Sequence, residues 1–264
     1  MASVLGMVRT NRDVYETAGA VQEAASYRPK GLLKDEEAIL DRFAPFLADA
    51  ALLDVGVGAG RTTGPLLKLV RDYVGVDLSS AMVRECQQAF PGTRFLQQDA
   101  CDLKDFTTAS FDAVLFCYNG IDSVGHADRL RILSEVRRVL RPGGLFIFSS
   151  HNLDWTRARA RRLVPPRDPG NSPRQLAGHA VRTVRTVANF LRNRSRQIRT
   201  AEYEIINDPA HFHSLMHYYI SAPQMATQLR DNGFTDVVAY DHDGVPIDSS
   251  TDIPWITYSA RSIA

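Results

Sequence analysis

The sequence predicts an α/β fold, a parallel sheet with helices on both faces. Three observations predict it. Short apolar runs alternate with amphipathic helical segments between Asp35 and Ser150, and the alternation resumes after residue 220. The first run, Leu52–Val55, turns straight into three alternating glycines, Gly56, Gly58 and Gly60, and a helical segment follows them. Glycines at the carboxyl end of a buried strand admit positive φ and let a ligand approach the main chain, with the N–H groups of the next helix facing it.

The elements follow from their periods. Asp35 to Leu47 reads as a helix with Ile39, Leu40, Phe43 and Leu47 on one face. Strands are expected over 52–55, 73–77, 93–97, 111–117 and 144–150, and helices over 61–70, 79–89 and 127–140. Ser79 or Ser80 caps the second of these helices, and Pro142-Gly143-Gly144 stops the third. Later, Ser221 caps a helix over 223–232 that Gly233 ends. Strands follow at 234–240 and 253–260.

The glycine loop departs from the dinucleotide fingerprint, because Arg61 stands where that pattern needs its third glycine. What the chain carries is Asp54-Val55-Gly56-Val57-Gly58-Ala59-Gly60. Tyr73–Asp77 is a second strand ending in an acid, about twenty residues past the first glycine, where a carboxylate can accept from ribose hydroxyls. The strand at 93–97 leads to Asp99, suited to an adenine amino group, and Arg141-Pro142-Gly143-Gly144 precedes the fifth strand.

In this order, over residues from about 35 to 150, these motifs resemble those of class I S-adenosylmethionine-dependent methyltransferases of the small-molecule type. The resemblance implies a Rossmann-like fold: a mostly parallel seven-stranded sheet, an antiparallel last strand and an inserted lid after the fifth strand. It divides the chain into an N-terminal cap (1–34), a cofactor-binding core (35–152), a basic insertion (153–220) and the C-terminal part of the sheet (221–264). The cofactor it implies is S-adenosyl-L-methionine. Contacts are expected from Asp54, Gly56, Val57, Gly58 and Gly60, then from Asp77, Leu78 and Met82. Asp99, Ala100 and Cys101 follow the third strand, and Cys117, Tyr118 and Asn119 the fourth.

Composition fits a soluble enzyme. Cys86, Cys101 and Cys117 show no pairing motif, so a reduced, cytoplasmic chain is expected; Cys86 and Cys117 read as small buried hydrophobes. No apolar run reaches membrane-spanning length, and the first twelve residues lack the apolar core of a signal peptide. Between Trp155 and Thr200 stand twelve arginines, no lysine and a single acid, Asp168, although the whole chain is only +1. Val164–Gly170 reads as a loop. Arg174 to Arg196 reads as a basic amphipathic helix with Val181, Val184, Ala188 and Leu191 repeating. Its arginines suit a solvated lid paired with an acidic body, an anionic substrate or membrane surface, or nucleic acid, the last disfavoured because few aromatics accompany them.

The acceptor side lies past the ends of the fourth and fifth strands, in Tyr118–His126 and Ser149–Asn152. His151 is the base favoured by topology, with His126 and His217 as alternatives. His211-x-His213-x-x-x-His217 lacks the spacing and partners of a metal site, so no metal is expected. No (Asp/Asn/Ser)-Pro-Pro-(Tyr/Phe) tetrapeptide follows the fourth strand, which argues against nucleobase or glutamine N-methylation. The expected activity is methyl transfer to a hydroxyl or amine of a small molecule, in a natural-product or saccharide pathway. The alternatives are a methyltransferase acting on RNA or at an anionic membrane surface through the arginine-rich insertion and, more remotely, a nicotinamide-linked oxidoreductase.

Overall fold

A computed structural model of the chain describes residues 11–158, 173–207 and 210–263. The segments 1–10 and 164–170, read above as lacking a signal sequence and as a loop, lie outside them. Five parallel strands form the centre: β1 (Ala51–Val55), β2 (Asp72–Asp77), β3 (Arg94–Gln97), β4 (Phe111–Phe116) and β5 (Leu140–Asn152). Three short strands follow, β6 (Ile198–Arg199), β7 (Tyr203–Asn207) and β8 (Met216–Ile220), then β9 (Phe234–Tyr240), β10 (Pro246–Ile247) and β11 (Trp255–Ser262). The spatial order is β3-β2-β1-β4-β5-β11-β9-β10, with β11 antiparallel to both β5 and β9. The seven expected strands are present, the last of them antiparallel.

Alternation along the strands sends side chains to two apolar layers. Leu53, Val55, Val114, Phe116, Phe146 and Phe148 pack with Ile132 and Val136 of helix His126–Val139 and with Met225 and Leu229 of helix Ala222–Asp231. Leu52, Ala113, Leu115, Leu145 and Ile147 face the other way, onto Ile39 and Leu40 of helix Lys34–Arg42, Leu66 of Thr63–Leu69, and Val83 and Cys86 of Ser80–Ala89. Both faces are therefore covered, as a parallel sheet requires. Ser79 is the cap of its helix, accepting from the Met82 N–H.

The structure corrects two local expectations. The helix expected over 35–47 breaks at Phe43, after which Pro45 lies in the first turn of a separate short helix, Ala44–Leu47. β5 begins at Leu140 rather than 144. Leu140 pairs with Phe111, the register then shifts, and Gly143 at φ +75° carries the chain through the irregularity.

The insertion also adds sheet where a lid was expected. β5 runs past the end of β4, whose last pair is Phe116 with Phe148, leaving backbone groups at 151–152 unpaired on that side. β8 takes them in parallel, Tyr219 opposite His151 and Ile220 opposite Asn152, and β7 and β6 follow antiparallel. Asn11 anchors the N-terminal segment to this corner: its side-chain amide donates to the carbonyls of Ser123 and Met216 at 2.8 and 2.9 Å.

Candidate active site

The loop after β1 owes its shape to its glycines. Gly56 and Gly58 have φ of +64° and +56°. A Cβ on Gly56 would meet the Phe116 ring at 2.6 Å, whereas one on Gly58 would meet nothing within 4 Å and would occupy open space. The Asp77 carboxylate accepts from the N–H groups of Gly58 and Ser79, both at 2.8 Å, and so ties the end of β2 to the loop. Enclosure pushes the Asp77 pKa up, against those two hydrogen bonds. Beneath the loop, fully buried Asp54 accepts from Thr62 Oγ1 at 2.7 Å and Tyr73 OH at 2.9 Å. Burial raises its pKa to about 6 despite those donors.

A cavity of about 600 Å³ opens over the carboxyl ends of the strands. The glycine loop lines it with Asp54, Gly56, Val57 and Gly58, and the end of β2 adds Asp77, Leu78 and Met82. Asp99 and Ala100 follow β3 into the wall, and Cys117, Tyr118 and Asn119 follow β4. Tyr118 and Asn119 both adopt φ of +58°, a strained conformation for side-chain-bearing residues, held in part by Ser149 Oγ accepting from the Asn119 N–H at 2.8 Å. His151 and His217 complete this side, their rings stacked with centroids 5.0 Å apart.

Three residues expected at the site stand away from the wall. Gly60 faces helix Ser80–Ala89, where a Cβ would meet the Phe90 ring at 2.6 Å, so its lack of a side chain serves packing. The Cys101 thiol turns to the Asp128 carbonyl at 3.5 Å. His126 is stacked on Tyr203, with centroids 4.2 Å apart, and hydrogen-bonded to Tyr218 OH at 2.9 Å. Burial and the charge of Arg129 lower its pKa.

Asp122 falls within the Tyr118–His126 stretch expected on the acceptor side, but its sequence context assigns it no role, and Gln98 is not among the residues expected at the site. Fully buried Asp122 accepts from His151 Nδ1 at 2.7 Å, the His151 N–H at 2.6 Å, Ser150 Oγ at 2.7 Å and Arg129 Nη1 at 2.5 Å. Burial pushes its carboxyl up, but the Arg129 charge and the His151 contacts outweigh it and hold the pKa below the ordinary carboxylate value. No local pattern marks this residue, because its partners are seven and 29 positions away. Gln98 lies buried in the cavity wall with neither amide atom partnered, among the described residues. The N-terminal segment is expected only as a cap. It too enters the wall, through Tyr15, Glu23 and Tyr27.

This strand order and a glycine loop facing a cavity at the strand ends define the class I methyltransferase fold. Residues 53–148 match the family model described as a methyltransferase domain, and the chain carries a domain of the S-adenosylmethionine-dependent class I type. It is 37% identical over 119 residues to the fatty-acid O-methyltransferase of Mycolicibacterium smegmatis, covering 43% of this chain and 39% of that one. It is 36% identical over 107 residues to the phthiotriol/phenolphthiotriol dimycocerosates methyltransferase of Mycobacterium tuberculosis, covering 39% and 38%. The chain thus spans about two fifths of the length of these curated relatives. The crystal structure of an S-adenosylmethionine-dependent methyltransferase from Clostridium acetobutylicum superposes with a TM-score of 0.59 at 15% identity, covering 88% of this chain and 92% of that one, a likeness of fold.

Proposed function

We propose that the chain transfers the methyl group of S-adenosylmethionine to a hydroxyl of a small, largely apolar molecule, with His151 as general base. The His151–Asp122 pair carries this reading. An ionised carboxylate only accepts hydrogen bonds, so Nδ1 bears the hydrogen and Nε2 keeps its lone pair, 3.4 Å from the Asn119 amide nitrogen. A hydroxyl needs such a base, whereas an amine must only have lost its proton beforehand.

The wall suits the cofactor's parts. Gly58 would leave main chain open to the amino-acid end, Asp77 would accept from the ribose hydroxyls, and the unpartnered Gln98 amide with Asp99 would hold the donor and acceptor edge of adenine. When bound, S-adenosylmethionine supplies a methyl carbon made electrophilic by its sulfonium. The chain then has to align the acceptor and exclude water. His151 Nε2 takes the hydroxyl proton, and the buried Asp122 carboxylate stabilises the imidazolium that results. The relative named as a fatty-acid O-methyltransferase supports both an apolar acceptor and transfer to oxygen.

A metabolite screen for the gain of one methyl, run with the wild type and His151→Ala, tests this. The variant should bind S-adenosylhomocysteine normally and form product about 10²–10⁴-fold more slowly. Calorimetric binding of NAD in place of S-adenosylhomocysteine would overturn the reading.

A further inference from the structure

Helix Pro173–Arg194 packs on the body by its polar side. Buried Asn189 and Asn193 donate from their side-chain amides to the carbonyls of Phe212 and His213, each at 3.0 Å, and Thr186 is buried beside them. The apolar side faces outward. Val181 and Val184 are each 69% exposed, Leu191 60%, Leu176 49% and Val187 36%. At 3.6 residues per turn these five form one stripe opposite Asn189 and Asn193. A helix lying on a globular body ordinarily shows the reverse arrangement. Exposed Arg185 and Arg192 run along one flank and Arg194 lies on the other, and no acidic residue occurs between Pro173 and Arg199. Phe212, itself exposed, extends the patch under the Arg185 guanidinium at 5.8 Å.

We propose that this face docks the chain on an anionic lipid surface, the valines and leucines entering the acyl boundary while the arginines meet headgroup phosphates. Charge complementarity selects this occupant: an apolar stripe flanked by arginines that form no ion pair among the described residues matches an interface that is apolar below and anionic above. Among the described residues no helix is long and apolar enough to cross a membrane, so this one would lie in the interface plane. The carbonyls that hold it belong to residues just before β8, which brings His217 to the cavity. Docking would therefore present the site to an acceptor dissolved in the bilayer. That consequence rests on the methyl-transfer reading; the docking does not.

Sedimentation of the full chain with mixed phosphatidylglycerol–phosphatidylcholine vesicles, against phosphatidylcholine alone, tests the proposal. Binding should be at least about tenfold stronger to the anionic vesicles and should weaken at high salt. Val184→Asp with Leu191→Asp, and separately Arg185→Glu with Arg192→Glu, should each lower the partition coefficient at least about tenfold at an unchanged unfolding midpoint. Three results would overturn it. One is no preference for anionic vesicles, and another is salt-dependent retention of RNA without vesicle binding. The third is a dimer in light scattering that Val184→Asp with Leu191→Asp dissolves, which would assign the stripe to a second copy of the chain. Loss of S-adenosylhomocysteine binding would count against the functional reading alone.

Discussion

Arg61 and Glu36 form a two-point ion pair, both N···O distances 2.6 Å, with the Glu36 side chain 2% exposed. Arg61 also donates to the Gly31 carbonyl at 2.8 Å, and Arg28 reaches the Ala59 carbonyl at 2.8 Å and Glu85 at 2.7 Å. The residue that breaks the dinucleotide fingerprint thus fastens the N-terminal segment over the glycine loop.

Removing one partner of this buried pair leaves an uncompensated charge. Glu36→Ala should lower unfolding stability by on the order of 3–5 kcal/mol in urea denaturation, and Glu36→Leu with Arg61→Met should recover most of it. An unchanged midpoint in Glu36→Ala would show the pair to be idle.

Asp77 braces the loop through the Gly58 N–H and lines the cavity, where in the proposed function it would accept from the ribose hydroxyls. Asp77→Ala should weaken S-adenosylhomocysteine binding by at least about tenfold, the loss of charge-assisted bonds of about 1.5–3 kcal/mol. Calorimetry on a variant with a native circular dichroism spectrum measures it. Full affinity there removes Asp77 from the site.

Asp54 makes a pH prediction. Its folded pKa of about 6 lies above the ordinary 3.8, so between those values the native state binds more protons than the unfolded one. The contribution is fully present below the lower value and is lost as pH rises through the upper, by roughly 2–3 kcal/mol. Asp54→Asn should therefore gain stability relative to the wild type more at pH 7.5 than at pH 4. Parallel denaturation curves at the two pH values decide it.

The three histidines should separate kinetically on the acceptor found by the screen. His151→Ala should slow turnover about 10²–10⁴-fold, and His126→Ala, whose ring stands away from the cavity, should stay within a few-fold of wild type. Asp122→Asn should slow turnover and also destabilise the chain, since buried Arg129 loses its counter-charge. Full activity in His151→Ala, His126→Ala and His217→Ala alike would favour amine methylation by positioning alone.

Local chemistry made the site's outline legible. The Asp54–Gly60 loop, the acid ending β2 and the Ser79 cap announce themselves because glycine φ preferences and strand periods act within a few residues. His151 is readable as a strand-end histidine, but the carboxylate that orients it is not, because the Asp122–His151 contact joins residues 29 positions apart. Gln98 likewise looks like any polar residue after a strand until the fold buries its amide.

What the sequence determined by itself is the series of strands and helices, the family its motifs resemble and the existence of a basic amphipathic helix after β5. Each rests on periodicity and spacing, which are properties of short windows. Which side of that helix meets the body was decided only by tertiary structure. Period 3.6 places Val181, Val184 and Leu191 on one face, but the inward face is the one whose Asn189 and Asn193 amides find the Phe212 and His213 carbonyls. The same holds for β8. Nothing in Met216–Ile220 names its neighbour; it pairs where β5 overruns β4 and leaves backbone groups that must be satisfied.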